Sequence, residues 1–133
     1  MNQPTGLEAI RNLDYAVLLC EDIARMRDFY TRVLGFEVRH EIPGKWVELQ
    51  VGASLLALRL RGRSYDGPPP LPGSASVQLA FRVPPSEVEA AATQLAERGI
   101  EPLEPVSDLE DFGHRVLFLA DPEHNIIEIY AEI

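Results

Sequence analysis

Glu128 is the side chain in this sequence best suited to chemistry. It stands in the run Ile126-Ile127-Glu128-Ile129-Tyr130, a lone carboxylate among apolar and aromatic neighbours. Such a carboxylate can act as a general base, because desolvation raises its pKa toward neutrality. It can equally sit in an ion pair with Arg59 or Arg82, and residue types alone leave both readings open. His114 follows Gly113 at the head of an apolar run, placed either to serve as an acid–base group at a cleft mouth or to lie on the surface or at a dimer contact. His124 reads as a turn residue and His40, beside Glu41, as solvated. No nucleophile elbow, phosphate-binding glycine loop, Ser/His/Asp order or Cys-x-x-Cys pair occurs. The one cysteine, Cys20, lies in an apolar stretch, which predicts a buried, inert thiol and a reducing compartment.

The elements that must position these residues read as one pattern written twice. Tyr15–Cys20 is a buried strand by its apolar and branched residues. Asp22 suits an N-cap, Ile23, Met26, Tyr30 and Val33 follow at helical spacing, and Gly35 supplies a left-handed stop. Strands are expected at Phe36–Glu41, Trp46–Val51 and Leu55–Leu60. The proline- and glycine-rich stretch from Arg61 to Ser76 is a stiff connection. The second unit begins with a strand at Val77–Val83. A helix opened by a capping box (Ser86 with Glu89) then buries Val88, Ala91, Ala92 and Leu95 and ends at Gly99. A strand near Glu101–Val106, an acidic loop at Asp108–Asp111, a strand at His114–Ala120 and a last strand up to Ile133 complete it. Before all this, Met1 to Asn12 reads as a loose arm or a single helical turn.

The order is βαβββ, repeated. The expected fold is therefore α+β, one domain over 1–133, with modules at 12–62 and 77–133, a linker at 63–76, and curved mixed sheets around a cleft. Strand alternation then selects what faces the cleft. If Leu56 and Leu58 pack on the helix, Ala57 and Arg59 face away from it; Tyr15, Gln78 and Glu128 follow by the same parity, and Trp46 and Glu48 lie opposite the apolar Val47 and Leu49. Aromatic anchors with a few polar groups are the usual lining of a small-molecule pocket, although Tyr15, Gln78 and Glu128 would also suit a purely structural network.

Bulk properties narrow the partners. The 133 residues carry a formal net charge of −9, which disfavours nucleic acid and anionic membranes and favours a cationic ligand. Apolar runs are strand-sized, too short for a membrane span, and no secretory leader pattern opens the chain.

Three stretches make the sequence similar to the vicinal oxygen chelate superfamily, which includes glyoxalase I, bleomycin-resistance proteins and extradiol dioxygenases. They are Asp14 to Asp22, the helix end Asp28-Phe29-Tyr30-Thr31-Arg32-Val33-Leu34-Gly35-Phe36, and Asp121-Pro122-Glu123-His124-Asn125-Ile126-Ile127-Glu128-Ile129. The resemblance implies a divalent-metal site built from one opening-strand and one later-strand ligand of each unit. Here those slots fall on Tyr15, Ala57, Gln78 and Glu128. A phenol, a methyl group and a neutral amide are poor substitutes for His and Glu, so no metal and no other cofactor is expected.

The resemblance then points to the drug-sequestering branch: a cytoplasmic homodimer that binds a small cationic or aromatic molecule through Tyr15, Trp46, Glu48, Ala57, Arg59, Gln78, His114 and Glu128. The alternative it implies is an enzyme of the lyase, isomerase or dioxygenase type, with Glu128 as base or residual metal ligand.

Overall fold

Apolar and branched side chains from Tyr15 to Cys20 form the first strand of a computed structural model that describes residues 3–133. Met1 and Asn2, the head of the expected arm, lie outside the described residues; the rest of the arm holds one exposed 3-10 turn, Gly6–Ala9. After β1 (Tyr15–Cys20), Asp22 caps α1 (Ile23–Asp28), its carboxylate accepting from the Arg25 amide at 3.0 Å. The helix does not continue regularly. It widens into a π turn over Phe29–Val33, closed by the Leu34 amide donating to the Phe29 carbonyl at 3.1 Å. Phe29 and Tyr30 are both buried in this turn. Gly35, at φ 81°, then stops the helix.

Strands β2 (Glu37–Ile42), β3 (Trp46–Val51) and β4 (Ser54–Leu60) complete the module. Its strand order is β1-β4-β3-β2, with β1 and β4 parallel and the other pairs antiparallel. Between Leu60 and Gln78 the chain has neither helix nor strand.

The second module repeats the plan with β5 (Gln78–Arg82), α2 (Glu87–Glu97), β6 (Ser107–Leu109), β7 (His114–Ala120) and β8 (Ile126–Glu132), in the order β5-β8-β7-β6. Two local expectations fail here. Ser86 makes no capping bond to the Glu89 amide; its hydroxyl turns instead to Glu87. The strand expected at Glu101–Val106 is displaced to Ser107–Leu109, overlapping the start of the expected acidic loop at Asp108–Asp111. Pro102 and Pro105 lack the amide hydrogens a ladder needs, and only Leu103 bonds back to the sheet, at Phe118.

The architecture is thus α+β, two tandem βαβββ modules each with a four-stranded mixed sheet. One hydrophobic cluster serves both. Leu18, Leu56 and Leu58 meet Met26 in the first module, and Leu117, Leu119 and Ile127 meet Val88 and Leu95 in the second. Each such fully buried aliphatic side chain contributes about 1.5–3 kcal/mol. Because the helix-bearing faces are used up in this shared core, the opposite face of each sheet is left for function.

Candidate functional site

On the free face of the first sheet, Trp46 pairs with Arg59 and Glu48 with Ala57, while Tyr15 and Val17 of β1 lie opposite Leu55 and Ala57. Alternation therefore brings Tyr15, Trp46, Glu48, Ala57 and Arg59 to one side. The Trp46 indole N–H donates to Glu48 Oε2 at 2.9 Å, and the Tyr15 ring meets the indole edge-on with centroids 6.3 Å apart. These two contacts fix the indole plane. Ala57 is fully buried beneath the patch.

Arg59 has a different partner from either expected reading. Its Nη1 and Nη2 donate to Asp66 at 3.0 and 2.7 Å, and Asp66 also accepts the amides of Gly62 and Arg63. The Arg59 guanidinium, followed by the Gly62 amide, holds the Asp66 carboxyl far below the usual carboxylate range. This clasp folds the segment after β4 back beside the sheet. Arg61 extends it, donating through Nε to Glu21 at 2.7 Å.

A groove of about 700 Å³ opens here, lined by Ile42, Trp46, Glu48, Arg59 and Leu60, with Lys45 and Arg63 among its polar residues. That volume suits a small organic molecule. His40 also lines it, which simple alternation does not foresee. A bulge between Val38 and His40 shifts the register so that His40 pairs with Glu48 and Ile42 with Trp46. The same shift turns Glu41 to the helix side, where it pairs with Arg27 at 2.9 Å. His40 is exposed, as expected, but it belongs to the groove.

The second sheet presents its own free face. Glu128 lies between Ala80 and Phe118, and its Oε1 accepts from Gln78 Nε2 at 3.1 Å. Neither expected ion pair of Glu128 forms, since Arg59 is taken by Asp66 and Arg82 pairs with Glu132 at 2.9 Å. His114 stacks on Tyr130 with centroids 4.4 Å apart, and Phe112 lies 6.1 Å beyond it. Among the described residues, no hydrogen bond, ion pair or ring contact joins this face to the patch around Trp46. Tyr15 accordingly stands outside the Gln78–Glu128 pair.

The donor set does not fit a divalent transition ion. Of the four slots, Ala57 offers no donor, Tyr15 packs on Trp46, and the Gln78 amide is spent on Glu128, the only anionic group. Among the described residues no three His, Cys, Asp or Glu side chains gather where they could hold a metal.

Two elements that shape the groove had little sequence signal. The bulge that delivers His40 is marked by no glycine, and Asp66 stands in an Arg-rich loop whose fold depends on Arg59, seven residues earlier.

A family model, described as the Glyoxalase/Bleomycin resistance protein/Dioxygenase superfamily, matches residues 12–129. A glyoxalase domain-containing protein, RDO1 of Mycosarcoma maydis, is 31% identical over 123 residues, which span 91% of this chain and 68% of that relative. Among solved structures, a glyoxalase/bleomycin resistance protein/dioxygenase from Nocardioides superposes with a TM-score of 0.80 at 22% identity, covering 94% of this chain and 85% of that one. A lactoylglutathione lyase from Agrobacterium tumefaciens gives 0.72 at 20% identity, over 92% and 95% of the two chains. At these identities the structural likeness speaks for the fold.

Proposed function

The chain belongs to the Glyoxalase/Bleomycin resistance protein/Dioxygenase superfamily, and within it we propose a protein that binds a small organic molecule on the free faces of its sheets without a metal. The observation that carries this reading is the groove of about 700 Å³ floored by a Trp46 ring already fixed by Glu48 and Tyr15. A preset aromatic surface costs little ordering when a ligand arrives. The donor set of Tyr15, Ala57, Gln78 and Glu128 supports the metal-free part.

A second copy of the chain completes the cleft in this reading. Among the described residues no hydrogen bond, ion pair or ring contact joins the patch around Trp46 to the face around Glu128, and in this reading a two-fold pair sets Trp46 of one copy toward Glu128 of the other. The cytoplasm is the proposed location, because the buried Cys20 thiol suits a reducing compartment. No helix is long and apolar enough to cross a membrane among the described residues.

A thermal-shift screen of small aromatic compounds tests the binding reading: a tight ligand raises the melting temperature. If no compound does so, the faces are structural only. The position of Glu128, half-buried and without a cationic partner among the described residues, favours one rival, an enzyme using it as base. Turnover of a bound compound that vanishes in a folded Glu128→Gln variant would establish that rival.

A further inference from the structure

The groove over the first sheet has an electrostatic character opposite to that of the whole chain. Against a net charge of −9, its lining holds Lys45, Arg59, Arg61 and Arg63 and a single carboxylate, Glu48. Two of the cations are internally compensated, Arg59 by Asp66 and Arg61 by Glu21. The side chains of Lys45 and Arg63 pair with no carboxylate among the described residues; the Arg63 guanidinium donates only to the neutral Tyr65 hydroxyl, at 2.7 Å, while its backbone amide donates to Asp66.

Their placement is directional. Lys45 ends the β2–β3 turn and its carbonyl accepts from the Leu60 amide at 3.0 Å, while Arg63 follows β4, so both stand at the same end of the sheet. Trp46 is next along the strand, and Glu48 lies two pairs further, on the same face and opposite Ala57. Followed along the strands from that end, the groove therefore offers cations first, then the indole, then a carboxylate. Bulk charge favours a cation, but a bound molecule responds most to the charges within a Debye length of it.

We infer that this groove selects a flat aromatic acid, its carboxylate held between Lys45 and Arg63 at that end and its ring laid against Trp46. Glu48 sets the orientation, because an acid group turned the other way would face a like charge. The inference rests on the ligand-binding reading above and narrows it to a chemical class.

The test uses Trp46, the one tryptophan of the chain, whose indole N–H gives a single resonance inside the groove. The probes are naphthalene-2-carboxylate, naphthalene-2-carboxamide and 2-naphthylmethylammonium. The acid should shift that resonance at least about tenfold more tightly than either analogue, with binding weakening as salt is raised. The folded double variant Lys45→Gln/Arg63→Gln should lose at least about tenfold in affinity for the acid, and Lys45→Arg should keep it. Equal or tighter binding of the amide or the ammonium would overturn the charge selection while leaving a ligand-binding groove in place. If none of the three moves the resonance, both this inference and the reading beneath it fail.

Discussion

The Tyr30 hydroxyl donates to Asp121 Oδ2 at 2.7 Å, and this bond joins the two modules. Tyr30 is fully buried in the π turn of the first module, and Asp121 is buried in the turn before β8 of the second. Asp121 also accepts the amides of Glu123 and Asn125 and the Asn125 side chain. Glu123, two residues on, accepts the amides of Glu21 and Asp22 at the start of α1. The stretches around Phe29-Tyr30 and Asp121-Pro122 are thus two sides of one polar junction. Desolvation, then the Asp121 charge, raises the Tyr30 phenol far above its ordinary range, so it stays a donor at all working pH.

Tyr30→Phe should destabilise the protein by about 1.5–3 kcal/mol, the usual worth of a bond to a charged acceptor. Urea unfolding measures it, and Asp121→Asn in a double-mutant cycle should show coupling rather than additivity. A loss below about 0.5 kcal/mol would mean the junction is held by Glu123 and packing alone.

Much of this was legible beforehand, for a physical reason. Side chains on a strand alternate without exception until a bulge intervenes, so the shared face of Tyr15, Trp46, Glu48, Ala57 and Arg59 followed from spacing. Where a bulge did intervene, His40 was read only as solvated, and its place in the groove was not legible. The partner of Arg59 was not legible, because loop folding decides it, whereas for Glu128 the sequence left Gln78 open beside the two arginines and cross-strand reach chose between them. Asp66 and Gln78 won over equally charged or polar competitors by geometry. The displaced β6 was a local signal overlooked: Pro102 and Pro105 argue against a strand at Glu101–Val106.

Asp66 makes an acid-limb prediction. Its folded pKa lies below the unfolded value of about 3.9, so its stabilisation is fully present above that pH and fades as pH falls below it. Asp66→Asn should therefore be less stable than the native chain at pH 6, with the gap closing as the pH is lowered below about 4. Thermal melts of both proteins across that range check the sign. A gap that widens in acid would contradict the clasp.

Cys20 should be unreactive in the folded protein. It is fully buried, and its thiol is pushed up to about 12, chiefly by burial and then by the Glu123 charge. Reaction with an aromatic disulfide at pH 8 should run at least about 100-fold slower than in denaturant. Immediate labelling of the native protein would show the first sheet opening more readily than its packing indicates.

The proposed pairing of sheet faces predicts a particle of twice the 14.8 kDa chain mass by light scattering at micromolar concentration. A monomer that still binds its ligand would confine the site to the first sheet.

Central to the account is a cleft that binds without a metal, and the sole tryptophan reports on it directly. Protein dialysed against a chelator, then titrated with a compound found in the thermal screen, should change the Trp46 emission with the same affinity as undialysed protein. Loss of that response on chelation, with its return on adding a stoichiometric divalent ion, would contradict it.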